Sequence, residues 1–249
     1  SNLPILEQAA SGIGSFAIGA SEGAIVRRIP LLSNFYGKIY PGLSIEGLRV
    51  AQGASTIIVR ASDASGEIAI GDSRSLQDLR VGDIEVPLTK DGHIWLHYTM
   101  PEPGRTISAL QVLNKTKDKQ LSELLAGHIV LIGTSAVGLD DLRATPLRPF
   151  VPGVEIHAQA LEQMILNKYL QRPDWAKGAE VTALVLVCLM IIILLQKFSP
   201  LGSALFGVSV GGLITLASWY AFTEAQLLLD PVYLLLAALT VYLVVTTVN

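Results

Sequence analysis

The stretch Val181-Thr-Ala-Leu-Val-Leu-Val-Cys-Leu-Met-Ile-Ile-Ile-Leu-Leu-Gln196 carries no charged side chain, and two more such stretches follow it, Phe198 to Thr223 and Pro231 to Asn249. At a rise of about 1.5 Å per residue, a helix of about 19 residues covers close to the 30 Å hydrocarbon thickness of a bilayer. All three stretches therefore read as transmembrane helices, expected at about 179–197, 200–222 and 231–249. Ser199 and Asp230 are expected to cap the second and third helices, with Pro200 and Pro231 at the first helical position, where no N–H donor is needed.

Working outward, the chain has 18 Lys+Arg and 21 Asp+Glu, yet after Lys177 only Glu180, Lys197, Glu224 and Asp230 remain. The sequence thus has two solvents: residues 1–176 read as a water-soluble domain and residues 177–249 as a three-helix membrane segment. The soluble part is close to neutral and lacks the basic excess that nucleic acid requires, so no nucleic-acid partner is expected. Lys197 in the first helix connection, against Glu224 and Asp230 in the second, favours a cytoplasmic first hairpin. The expectation is then a soluble domain outside, an odd number of crossings, and Asn249 in the cytoplasm. The sequence starts Ser1-Asn2-Leu3 without methionine and stops after an apolar run, so both ends are expected to be cut.

Ser203, Gly207, Gly211 and Thr215 recur every four residues in the second apolar stretch, a helix-packing stripe that lets a neighbouring helix approach closely. That neighbour is either another helix of the same chain or a second copy. The single cysteine, Cys188, excludes an intrachain disulfide and a zinc ribbon, and reads as a small apolar filler.

In the soluble part, Ile84 to Leu88 and Ile94 to Tyr98 alternate apolar and polar around Asp91-Gly92, which predicts a hairpin. Gly23 to Ile29 and Ser55 to Val59 read as strands, with a short helix between them capped by Ser44 and bearing Ile45, Leu48 and Ala51. Ala109 to Leu113 and Leu121 to Leu125 read as helical, the second ending at Gly127. His128-Ile-Val-Leu-Ile132 is a continuous apolar run, which predicts a central strand covered on both faces. A helix beginning near Glu155 follows, with Ala160, Leu161, Met164 and Ile165 on its apolar face. The fold class expected is α/β with a mixed sheet, followed by the all-α membrane segment.

Read together, His128-Ile-Val-Leu-Ile-Gly-Thr-Ser-Ala-Val-Gly-Leu-Asp-Asp141, Ala144-Thr-Pro146, Pro152-Gly-Val-Glu-Ile-His-Ala158 and Leu170-Gln-Arg-Pro173 resemble the type-two CHASE domain. Gly23 to Leu31, Tyr40 to Glu46 and Thr106 to Leu113 fall in that family's order and spacing. The resemblance implies an extracytoplasmic sensor in the bacterial inner membrane, preceded by one transmembrane helix and followed by three. It further implies a cytoplasmic output module, most often a class III adenylate or guanylate cyclase, with serine/threonine or histidine kinases as the alternatives. Because such enzymes generally need two chains, a homodimer is implied, together with an unknown extracytoplasmic ligand or partner protein. These 249 residues carry none of the output chemistry, so the piece is expected to be catalytically silent and without a cofactor.

Gly133 to Gly138 after an apolar run has the look of a phosphate loop, but no Lys-Ser/Thr follows, and Asp140 and Asp141 would repel an anion. The loop also sits where α/β sheets collect ligands. Thr134, Ser135, Asp141 and Thr145 are therefore ligand-binding candidates, set against a loop merely locked by its own hydrogen bonds. Arg27 and Arg28 point to opposite faces of a strand; one is expected to pair with a carboxylate, and Arg28 is kept as a candidate for an anionic ligand. His93 and His97, four apart on a strand, are read as a half-buried face and no metal site is expected. His157 has no serine at nucleophile spacing and is read as structural.

Overall fold

The computed structural model describes residues 3–19, 24–61, 76–100, 102–114, 119–135, 141–195 and 200–248. The chain divides into two units, Ser1–Tyr169 and Leu170–Asn249. In the first, the elements run α1 (Pro4–Ala9), β1 (Arg28–Pro30), β2 (Leu32–Phe35), β3 (Lys38–Pro41), α2 (Leu43–Ala51), β4 (Ile57–Ala61) and β5 (Leu76–Val81). They continue with β6 (Ile84–Pro87), β7 (His93–Trp95), α3 (Ala109–Asn114), α4 (Lys119–Leu125), β8 (Leu142–Arg143), β9 (Val151–Pro152) and α5 (Gly153–Ile165). This is a mixed α/β domain. Where a mixed sheet was expected, its ladders β1–β7, β2–β3, β4–β5–β6 and β8–β9 are antiparallel, and among the described residues parallel pairing takes the form of isolated bridges, Ser15 with Gly42 and Ile25 with Ala144.

The core forms where these ladders meet α2 and α5. Ile29 faces Ile94 across the β1–β7 ladder, and Ile45, Leu79, Val81, Val86, Ile156 and Met164 close around them, each fully or almost fully buried. Burying such a side chain contributes about 1.5–3 kcal/mol, so this cluster dominates what holds the unit together. The helix expected between the first strands is α2, and Ile45 and Leu48 are its buried face, but its cap is Gly42 rather than Ser44. Ser44 sits inside the helix with its hydroxyl turned to α5. Gly127 has φ +75° just beyond α4, as the expected glycine terminus requires.

Two readings of the strand pattern are corrected. Ile84 to Leu88 does not pair with Ile94 to Tyr98: β6 pairs with β5 across the two-residue turn Gly82-Asp83, and β7 pairs with β1. Gly82 has φ +54°, which a two-residue hairpin loop of this kind needs and which places the turn one strand earlier than Asp91-Gly92 suggested. The run His128–Ile132 forms no strand at all. Leu131 packs on the core, while Ile132 is 92% exposed and Val130 53% exposed. A continuous apolar run reads the same whether its second face is covered or bare. Of the first expected strand, Gly23 lies outside the described residues, and the ladder itself starts only at Arg28.

The second unit contains α6 (Ala176–Leu195), α7 (Pro200–Thr223) and α8 (Val232–Val248). Among the described residues two helices are long and apolar enough to cross a membrane, Ala176–Leu194 with 19 residues and Leu201–Thr223 with 23, and Val232–Thr247 is a shorter apolar helix. None has a polar face, and the side chains of the first two are almost all unburied within the chain. α8 packs against both neighbours, most extensively α6, with Ile191 and Ala238 at the centre. The cap expected at Ser199 and the end of the first apolar stretch at Lys197 lie outside the described residues; that at Asp230 is made, its carboxylate accepting from the Val232 N–H at 2.9 Å.

Candidate functional site

The loops nominated from sequence converge on the first turn of α5. Gly133 lies so close to Val154 that an added Cβ would collide with that side chain. The Asp141 carbonyl accepts from the Gly153 N–H at 2.9 Å, and a Cβ on Gly153 would run into the Asp141 carboxylate. A carboxylate there faces the positive end of the helix dipole, so α5 is neutralised by a group of its own chain. Thr145 is buried; its hydroxyl donates to the Arg148 carbonyl at 3.0 Å and accepts from the Arg148 N–H at 3.1 Å, which closes a four-residue turn. Arg148 in turn pairs with Glu155, on the same helical turn. Thr134 and Ser135 are exposed beside this junction, and residues 136–140 lie outside the described residues.

Arg28 stands elsewhere. Its guanidinium lies 3.4 Å from the Asp91 carboxylate and 5.3 Å from the Trp95 ring centroid, a joint ion pair and cation–π contact. Asp91 is also touched by the Thr89 hydroxyl and by His93 at 3.1 Å. Burial pushes its carboxyl up, but the Thr89 hydrogen bond, with His93 and Arg28, holds it below the ordinary value. Of the two adjacent arginines it is thus Arg28 that pairs, and Arg27 that is exposed.

A buried polar arrangement lies inside the unit, along α5. The Ser44 hydroxyl is 2.9 Å from His157 Nδ1, and His157 Nε2 is 3.2 Å from the Phe16 carbonyl. A carbonyl can only accept, so Nε2 carries the proton and Nδ1 accepts from Ser44. Burial lowers the His157 pKa, against the Phe16 hydrogen bond and the nearby Asp141, which raise it. With Ser44 1% and His157 2% exposed, the pair is closed to any substrate and cannot serve as nucleophile and base. Two turns along the helix, Gln163 accepts from the His97 N–H at 2.8 Å and donates to the Trp95 carbonyl at 3.0 Å, and Gln159 accepts from the Thr99 N–H at 3.1 Å. These glutamines take the place of a neighbouring strand for the chain that leaves β7. Sequence reasoning passed over them. The signal was present, since Gln163 stands beside Ala160 and Met164 on the inward face of an amphipathic helix.

An open apolar cleft of about 450 Å³ is lined by Ile13, Gly14, Ser15, Phe35 and Tyr40. Among the described residues no three His, Cys, Asp or Glu side chains gather closely enough to hold a metal ion.

In the helical unit the residues that carry geometry lie at one end. Gln171, in the linker before α6, forms a parallel bridge with Leu227 in the α7–α8 loop: its N–H donates to the Gln226 carbonyl at 2.9 Å, and its carbonyl accepts from the Leu228 N–H at 2.8 Å. Trp175, Trp219, Tyr220 and Tyr233 stand exposed at that same end, before α6, at the close of α7 and at the start of α8. On α7, Ser203 is buried, Gly207 lies with its would-be Cβ 3.3 Å from the Tyr242 ring, Gly211 approaches Leu235, and Thr215 donates to the Gly211 carbonyl at 2.9 Å.

Compared with known proteins, residues 2–195 match the family model of the CHASE2 domain. No curated protein and no solved structure matches the chain.

Proposed function

The chain belongs to the CHASE2 domain family, a sensory extracellular domain of signalling receptors, and from that premise we propose that it is the sensing and membrane-anchoring part of a bacterial transmembrane receptor. In this reading α6, α7 and α8 all cross the inner membrane, the first unit lies outside, and Asn249 lies in the cytoplasm. The observation that carries it is the Gln171–Leu227 bridge. The chain enters α6 and leaves the α7–α8 loop at the same level, so α6 and α7 go and return, and α8 sets out again from the sensor side. The aromatic side chains at that end support the same level, because Trp and Tyr collect at the membrane–water boundary. Helices that are apolar all round, with few buried side chains, are suited to lipid rather than water.

As far as Val248, α8 rises about 25 Å, most of the hydrocarbon thickness. The resemblance of the sensor motifs supports a class III adenylate or guanylate cyclase as the cytoplasmic output, ahead of a kinase. The partners are then the bilayer, a second copy of the chain, and an external ligand or protein. Exposed Thr134 and Ser135, which follow Gly133, remain the proposed contact for such a ligand, and the occupied hydroxyl of Thr145 makes it a support for its own turn. Fusing a reporter after Asn249 tests the topology: activity on the cytoplasmic side is expected, and activity on the sensor side overturns the reading.

A further inference from the structure

Glu180 is the only acidic residue in α6, one turn into a helix whose other charged residue is Lys177, in its first turn. A carboxylate at that depth is costly unless it is matched. It is matched twice. One oxygen lies 2.9 Å from the Arg172 guanidinium in the linker, and the other accepts from the Asp230 N–H at 2.8 Å, immediately before α8. Arg172 also reaches the Leu228 carbonyl at 3.4 Å, so both ends of its fork are directed into the joint rather than toward a phosphate headgroup. Asp230 meanwhile caps α8 through the Val232 N–H. Three pieces of chain, the linker, α6 and the start of α8, therefore converge on one side chain. Below that point α6 and α8 share the most extensive packing in the unit, around Ile191 and Ala238.

We propose that Glu180 is the coupling residue of this receptor: by holding Arg172 and the Asp230 N–H at once, it makes the linker, α6 and α8 move as one body. A displacement of the chain leaving the sensor domain at Tyr169 is then delivered to the far end of α8 and not lost in a hinge at residues 170–175. The inference rests on the reading that these helices cross the membrane and carry a signal. The arginine that offsets the charge of the carboxylate comes from the linker, not from α6 or α8. It is the second contact, to the linker, that gives the carboxylate a part in transmission.

The test is a pair of spin-label distances measured on the full chain in lipid nanodiscs, in a Cys188→Ser background. Labels at Gln171→Cys and Val244→Cys report the linker against the far end of α8; labels at Leu186→Cys and Val244→Cys report α6 against α8. The expected result is one narrow distribution for each pair. Arg172→Gln should broaden the linker distribution, the two Gln171 main-chain hydrogen bonds alone leaving it wider than in the parent chain, and leave the α6–α8 distribution intact; Glu180→Leu, which also releases the Asp230 N–H, should broaden both. Glu180→Gln, which keeps an acceptor for the Asp230 N–H, should fall between. A linker distribution as narrow in Arg172→Gln and Glu180→Gln as in the parent chain overturns the proposal, as does an α6–α8 distribution as narrow in Glu180→Leu as in the parent chain. Should Glu180→Leu fail to fold, the two milder variants decide. A reporter after Asn249 on the sensor side would remove the topological reading whatever these distances show; a cytoplasmic reporter with insensitive distances removes only the coupling.

Discussion

Replacing Gln163 by leucine removes a side chain that is 3% exposed and answers two backbone groups at once, the His97 N–H at 2.8 Å and the Trp95 carbonyl at 3.0 Å. Each orphaned backbone group costs about 1–3 kcal/mol when water cannot replace the partner, and the leucine recovers part of this through its apolar surface. The net expectation is a loss of about 2–4 kcal/mol, a fall in Tm of roughly 4–16 °C for a unit of this size. Gln163→Glu keeps the acceptor and loses the donor, so it should be at least as damaging. Gln159→Leu, whose partner at Thr99 is exposed, should cost less than about 0.5 kcal/mol because water takes over the hydrogen bond. The assay is thermal unfolding of the full chain in detergent, with hydrogen exchange at the His97 amide as the local readout. A Gln163→Leu chain that melts within about 1 °C of the parent and exchanges His97 at the parent rate would refute the reasoning.

Burial holds the His157 pKa below its ordinary 6.5, so the unfolded chain takes up the proton more readily than the folded one. The contribution of His157 to stability is therefore full above pH 6.5 and is lost as pH falls through the lower folded value; unfolding midpoints measured from pH 8 to 5 should drop on the acid side, and His157→Asn should flatten that drop. At Gly207 a Cβ would stand 3.3 Å from the Tyr242 ring, so Gly207→Leu forces α7 from α8 at about 1–3 kcal/mol; disulfide trapping between cysteines placed on the two helices should fall, and unchanged trapping would place the stripe elsewhere than at this contact.

How far the sequence could be read depended on whether a residue's role was local. Helix periodicity and termini were legible because they are written within a few residues: Ile45 and Leu48 on α2, Ala160, Leu161 and Met164 on α5, Gly127 after α4, and the Asp230 cap. Strand partners were not. The alternation of Ile84 to Leu88 is equally compatible with β5 or β7, and the choice was made by the tight turn at Gly82. His128 to Ile132 shows the same gap, since hydropathy cannot say what covers a strand's second face.

The site followed the same division. Asp141 and Thr145 could be singled out from a loop rich in hydroxyls, but what they touch, Gly153 and Arg148, depends on how that loop folds back. Ser44 and His157 lie 113 residues apart, and no spacing rule joins them. Arg172 and Glu180 are eight apart and could have been paired from the sequence; the third member, the Asp230 N–H, enters only through the return of α7.

The central claim is that the linker and the α7–α8 loop share one side of the membrane while the α6–α7 connection lies on the other. In a Cys188→Ser chain, single cysteines at Phe198 and at Ala225 can be challenged in intact cells with a maleimide that does not cross membranes. The account predicts labelling of Ala225→Cys from the sensor side and protection of Phe198→Cys until the membrane is opened. Labelling of both from the same side, or protection of Ala225→Cys, would contradict it.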